Sequence, residues 1–134
     1  MIDLKPFIKK WDKKELEDWG TTVSKEFGSF QTAFKNIMKK IAESCNAELV
    51  KYSKGHYDMS GFIKRDDKYV YFNYSNYQDR ATVNLTKKGF GCAMYFRTAA
   101  SDTDYHGGSN NNVPFSECEE TIERLLNTEH RRAW

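Results

Sequence analysis

The hydrophobic pattern of this chain changes its period once, at Asn46, and that change restricts the possible folds more than any other feature. Before Asn46, apolar side chains recur every three or four positions, which is the spacing of one face of an α-helix. The residues of this stripe are Val23, Phe27, Phe30, Phe34, Ile37, Met38, Ile41 and Cys45. After Asn46, apolar and polar residues alternate, which is typical of β-strands with one buried face. The pattern predicts a helical part followed by a sheet.

Two further helices are predicted on either side of these elements. A short one covers residues 13 to 19, with Asp12 as its N-cap and Gly20 at its end. The last one begins at Ser116, because Ser116 and Glu119 have the spacing of a capping box.

The alternating part of the chain predicts strands over residues 47–53, 56–64, 69–75, 81–86 and 90–98. Short polar turns join them, which favours antiparallel pairing. We therefore predict an α+β fold with two N-terminal helices, a four- to five-stranded antiparallel sheet and one C-terminal helix. The length of 134 residues is that of a single domain over residues 1–134. Residues 128–134 are predicted to form a loose tail.

The cysteines and the N-terminus indicate a compartment. Cys45, Cys92 and Cys118 are odd in number and widely spaced, which favours reduced thiols over a disulfide or zinc scaffold. No apolar run is long enough to cross a bilayer, and the first residues lack the apolar core of a signal peptide. We expect a cytoplasmic protein. The net charge of +2 is too small to indicate a partner.

The segment from residue 97 to residue 112 is the predicted binding region. It runs from a predicted strand into a long polar loop that is rich in Gly and Asn, and irregular segments on a rigid scaffold often carry binding residues. The predicted partner-binding residues are Arg97, Asp102, Asp104, Tyr105, His106, Asn110 and Asn111.

Three residues of this loop also raise the question of metal binding or acid–base chemistry. Asp102, Asp104 and His106 alternate, so in an extended segment their side chains would share one face. Asp is equally common in turns, where its side chain caps the loop's own backbone, and that explanation is preferred. A turn that needs positive φ accounts for Gly107 and Gly108, since no Lys-Ser or Lys-Thr follows them as in a phosphate-binding loop. We predict no catalytic residues, no metal and no cofactor.

Nucleic-acid binding is the alternative function. Residues 88–91 together with Tyr95 match part of the aromatic strand signature of RNA-recognition motifs, and sheet tyrosines can stack on bases. The residues that would contact nucleic acid are Lys35, Lys39, Tyr69, Tyr71, Lys88 and Tyr95. Half-buried sheet aromatics and a solvated basic face explain the same residues without nucleic acid.

Several motifs between residues 56 and 112 resemble those of a known family. They are Met59-Ser60-Gly61-Phe62, Lys68-Tyr69-Val70-Tyr71-Phe72, Arg97-Thr98-Ala99 and Asp104-Tyr105 followed by Gly107-Gly108-Ser109-Asn110-Asn111. In them the chain is similar to a family of small uncharacterised proteins carried by phages, plasmids and conjugative elements of low-GC Gram-positive bacteria. The resemblance implies an accessory protein of a mobile element, a class that includes many inhibitors of host defence, anti-CRISPR proteins among them. The predicted function is therefore non-enzymatic: direct binding and inhibition of a host defence nuclease, such as a CRISPR effector.

Overall fold

The computed structural model describes residues 1–11, 25–55, 58–75, 85 and 93–131, and the fold is given for these residues. The helices in this part of the chain are α1 (Lys5–Trp11), α2 (Lys25–Ser44) and α3 (Cys118–Leu126). The strands are β1 (Glu48–Lys54), β2 (Asp58–Arg65), β3 (Lys68–Ser75), β4 (Ala93–Ala99) and β5 (Asn111–Asn112). A 3₁₀ turn, Phe115–Glu117, leads into α3.

The strands form one antiparallel sheet in the order β1-β2-β3-β4-β5. The α+β class and the antiparallel sheet predicted from the sequence are confirmed. The predicted strand over residues 90–98 corresponds to β4, whereas the two-residue β5 was not predicted and lies within the predicted loop. The predicted strand over residues 81–86 lies outside the described residues except for Leu85, which is buried and whose carbonyl accepts a hydrogen bond from the Phe115 amide at 2.7 Å.

Helices α2 and α3 cover one face of the sheet, which we call the inner face. In the predicted stripe Phe30, Phe34, Met38, Ile41 and Cys45 are buried, and Ile37 is partly buried. Phe34 packs against Phe72 and Tyr74 of β3 with centroid distances of 6.2 and 5.4 Å. Each such buried Phe contributes about 2 kcal/mol. The opposite residues of the same strands form the outer face, which carries no helix among the described residues.

Helix α1 was not predicted, and the predicted helix at residues 13–19 lies outside the described residues. The Asp3 carboxylate accepts a hydrogen bond from the Lys5 amide at 3.1 Å, which makes an Asx-turn just before the helix. Phe7 then packs against Phe115 at 5.1 Å, and Trp11 is buried. Seven residues are too few to be helical by periodicity alone, so tertiary packing stabilises α1.

The predicted capping box at Ser116 is wrong. Helix α3 begins at Cys118, and its start carries no side-chain cap. The Glu119 carboxylate instead accepts hydrogen bonds from the Ile2 amide at 3.0 Å and from the Ser44 hydroxyl. Long-range partners have replaced the local cap.

The predicted loose tail is held in place over residues 128–131. The Thr128 amide and hydroxyl donate to the carbonyls of Leu125 and Arg124, at 3.1 and 2.8 Å. His130 then contacts Thr98 and Asp104, as described below. Residues 132–134 lie outside the described part.

Candidate partner-binding site

An aromatic cluster occupies the outer face. Phe62 of β2 and Tyr71 of β3 are buried there with centroids 5.1 Å apart, and Tyr69 and Tyr95 pack at their sides. Residues 100–110, which we call the Tyr105 loop, fold over this cluster and place the Tyr105 ring edge-on, 5.3 Å from Phe62 and 5.8 Å from Tyr71. Tyr105 remains 44 % exposed, so the loop presents an aromatic ring to solvent on a packed base.

Arg97 connects the sheet to the loop. Its side chain lies flat on the cluster, with Cζ 4.3 Å from the centroid of Tyr71 and 5.8 Å from that of Tyr95. Nη2 donates to the Tyr105 carbonyl, and Nη1 lies 3.5 Å from Asn110 Oδ1. Arg97 is only 8 % exposed. It therefore shapes the predicted binding loop from beneath, and a partner reaches little of its surface.

Asp104 fixes the backbone of the Tyr105 loop. Its Oδ2 accepts a hydrogen bond from the Ala100 amide at 2.9 Å, and its Oδ1 accepts one from the His106 amide at 3.1 Å. The sequence favoured this interpretation over metal binding or acid–base chemistry: an Asp side chain forms hydrogen bonds to the backbone of its own loop.

The histidine beside Asp104 is His130 and not His106. His130 Nε2 lies 3.5 Å from Asp104 Oδ2, and His130 Nδ1 lies 3.0 Å from the Thr98 hydroxyl. The His106 side chain is exposed, and the Asp102 carbonyl accepts from Lys51 Nζ at 3.3 Å. The extended arrangement considered for Asp102, Asp104 and His106 is wrong, because the chain turns at residues 102–103.

Both glycines of the loop are required by their surroundings. A Cβ at Gly107 would lie 2.3 Å from Asp104 Oδ2 and 2.5 Å from His130 Cε1. Gly108 has a φ of +73°, and a Cβ there would lie 2.6 Å from the Thr98 carbonyl oxygen. Positive φ thus explains Gly108, as predicted, whereas close packing explains Gly107.

Thr98, His130 and Asp104 follow one another in the order of a nucleophile, a base and an orienting acid. Thr98 is 7 % exposed and points to the inner face, and Gly108 packs against its hydroxyl. These contacts tether β4, the loop and the C-terminal residues to one another. The sequence placed Thr98 in the Arg97-Thr98-Ala99 motif but gave no sign of its contact with His130, because the two residues are distant in the chain.

Two lysines that were also missed extend the outer face. Lys51 Nζ lies 5.9 Å from the Tyr105 centroid, and Lys64 Nζ lies 5.7 Å from that of Tyr69. Together with Arg97 they give the outer face a basic character. On the same face, the pKa of Tyr95 lies above its ordinary value, and burial of the phenol is the largest cause. Only the strand register could have identified these lysines, since each is one of many in the sequence.

The two asparagines predicted to bind a partner have different surroundings. Asn110 is exposed and faces Arg97. Asn111 lies in β5, where its Nδ2 donates to the carbonyls of Phe96 and Ser109 and its Oδ1 accepts from Arg124 of α3 at 3.3 Å. Its amide is therefore used within the protein.

The residues predicted to contact nucleic acid are divided between two sides of the molecule. Tyr69, Tyr71 and Tyr95 share the outer face. Lys35 and Lys39 are exposed on α2, on the opposite side of the sheet, where Lys35 Nζ lies 5.9 Å from the Tyr52 centroid. Lys88 lies outside the described residues. The described members do not form one continuous surface.

No family model, no curated protein and no solved structure matches this chain significantly. Among the described helices, none has the length and apolar character needed to span a membrane. In the same part of the chain, no three His, Cys, Asp or Glu residues come together in a group that could bind a metal ion.

Proposed function

We propose that this protein is a non-enzymatic accessory protein of a mobile element that inhibits a host defence nuclease by direct binding through the Tyr105 loop. The observation that carries the proposal is the exposed ring of Tyr105, which rests on Phe62 and Tyr71 in a loop whose backbone is bonded by Arg97 and Asp104. Aromatic residues frequently dominate binding energy at protein interfaces. A loop that is already ordered loses little conformational entropy when it binds.

Most of the aromatic rings on the outer face are covered by other side chains, which favours a protein partner over nucleic acid. Base stacking needs open ring faces. Arg97 lies on one side of the Tyr71 ring, Tyr105 approaches both Tyr71 and Phe62, and Tyr71 is only 6 % exposed. The aromatic ring that a partner can reach is that of Tyr105, with Lys51 next to it.

The mobile-element origin and the host target rest on the sequence resemblance of residues 56–112. A cytoplasmic location accords with such a target and with the two described cysteines, Cys45 and Cys118, which are free thiols. Burial is the largest cause that raises the pKa of each thiol, and it keeps both in the unreactive protonated form.

The test is a phage-challenge assay in Gram-positive cells that carry a CRISPR nuclease directed against the phage. Expression of this protein should restore plaque formation, and Tyr105→Ala should abolish the effect. Lys39→Ala is the matched control, because Lys39 is an exposed residue on the opposite side of the sheet. Circular dichroism of both purified variants verifies that each is folded.

Two results would contradict this proposal. If the parent protein restores no plaques against any nuclease tested, the assignment to defence inhibition fails. If Tyr105→Ala restores plaques as well as the parent does, the protein inhibits through another surface.

Nucleic-acid binding remains the second candidate, supported by Lys51, Lys64 and Arg97 around the tyrosines of the outer face. Binding of a fluorescent single-stranded oligonucleotide should then weaken steeply with salt, because phosphate contacts release counterions. Unchanged affinity in Lys51→Ala and Lys64→Ala would exclude the outer face as that site.

A further inference from the structure

We propose that His130 is a positioning residue for the Tyr105 loop, acting through Asp104. The inference rests on the proposed function in one respect only, namely that this loop is the binding element. It assigns residues 128–131 as a strap that fixes the loop from the C-terminal side, where the sequence alone predicts a loose tail.

The first step is the double contact of the imidazole ring. Nδ1 lies 3.0 Å from Thr98 Oγ1, and Nε2 lies 3.5 Å from Asp104 Oδ2. The Thr98 contact has hydrogen-bond length, whereas Nε2 and the carboxylate are within ion-pair distance and make no hydrogen bond in this geometry. Because Thr98 is part of β4, the ring anchors Asp104 to the sheet.

The second step leads from Asp104 to the loop. Its two carboxylate oxygens accept hydrogen bonds from the amides of Ala100 and His106, which lie on either side of Tyr105 in the sequence. The Asp104 side chain is 9 % exposed, so water competes weakly for these hydrogen bonds. If the carboxylate loses its anchor, both amides lose a fixed acceptor.

The third step is the fit of Gly107. A Cβ at this position would meet both Asp104 Oδ2 and His130 Cε1 within 2.5 Å. The loop backbone therefore lies against the carboxylate and the imidazole at one point. The ring supports the loop by contact as well as through Asp104.

The test is amide hydrogen exchange, measured by NMR on the full chain without any partner. In His130→Ala, the amides of Ala100 and His106 should exchange about tenfold faster, as expected for the loss of one hydrogen bond to a charged group. His130→Gln should restore most of the protection, since its side-chain amide can donate to Asp104. Glu129→Ala is the matched control, because it removes an exposed side chain next to His130 and leaves the imidazole and both reporter amides unchanged.

Two outcomes overturn the inference. One is parental exchange of both amides in His130→Ala. The other is equal acceleration at Phe72 in the core, which shows general destabilisation. The proposed function fails separately: if His130→Ala loosens the loop while the phage-challenge result stays parental, His130 positions the loop and the loop is not the binding element.

Discussion

Two glycines of this chain have opposite surroundings, so the same substitution should have opposite effects on stability. A Cβ at Gly61 would lie 2.4 Å from the Lys51 carbonyl oxygen and 2.7 Å from the Phe72 ring, whereas a Cβ at Gly28 meets nothing within 4 Å. Gly61→Ala should lower the free energy of unfolding by about 3 kcal/mol, since a strand backbone cannot move aside. Gly28→Ala should raise it by about 0.5–1 kcal/mol, since Gly disfavours a helix interior.

Urea unfolding of both variants tests this pair, each serving as the control for the other. A Gly61→Ala variant as stable as the parent would mean that β1 and β3 do not close over Gly61 as described.

Only some of the individual residues of the candidate site could be predicted from the sequence. The sequence singled out Arg97, Asp104 and Tyr105 because polar and aromatic residues in a Gly-rich loop stand out locally. It could not distinguish the exposed Tyr105 from the buried Arg97, since exposure depends on the register of β3 and β4. His130 lies far along the chain, and only the docking of the segment after α3 brings it to Asp104.

At the scale of elements, Arg65 at the end of β2 joins the sheet to both large helices. Nη1 donates to the Cys45 carbonyl after α2 and to Glu123 of α3, each at 2.8 Å, and Nη2 donates to Asn127 Oδ1 at 3.1 Å. Arg65→Ala should lower the free energy of unfolding by about 1–2 kcal/mol, mostly through the Cys45 carbonyl, because Glu123 is largely solvated. Arg65→Lys should recover only part, since one ammonium cannot reach all three acceptors.

Thermal unfolding of these two variants gives the measurement. Arg124→Ala is the control, because Arg124 is an exposed arginine of α3 whose side chain donates a hydrogen bond to Asn111 Oδ1 at 3.3 Å. A loss no larger than that of Arg124→Ala would show that Arg65 does not connect the elements.

Elements with a long periodic signal were predictable, and those that depend on distant partners were not. Helix α2 and strands β1 to β3 have local patterns that agree with their tertiary packing. Strand β5 has only two residues and pairs with Tyr95 and Phe96, so it has no pattern of its own. The start of α3 was misplaced because Glu119 bonds to Ile2 and Ser44 instead of its own helix.

For the molecule as a whole, burial of weak acids makes stability depend on alkaline pH. Burial raises the pKa of Cys45 and Cys118 above their ordinary 9.0, and that of Tyr52 and Tyr95 above their ordinary 10.0. The folded state therefore keeps protons that the unfolded state releases, so stability is complete below about pH 9 and falls as the pH rises further. The contribution approaches about 1.4 kcal/mol per pH unit above the unfolded pKa for the fully buried Cys118 and is smaller for the partly exposed Tyr95.

A variant of Tyr52 can separate the dependence of stability on alkaline pH from a loss of stability that is present at every pH. The Tyr52 hydroxyl donates to the Gln31 carbonyl of α2 at 2.8 Å, and Gln31 Nε2 donates to the Gly55 carbonyl at 2.8 Å, so the pair joins α2 to the end of β1.

Tyr52→Phe should lower the free energy of unfolding by about 1 kcal/mol at neutral pH, because the hydrogen bond is lost. Above about pH 10 the loss of stability with pH should be shallower in the variant than in the parent, because the phenol that resists ionisation in the fold is gone. Urea unfolding at a series of pH values measures both effects. Parallel curves for Tyr52→Phe and the parent would show that the phenol of Tyr52 does not govern alkaline unfolding.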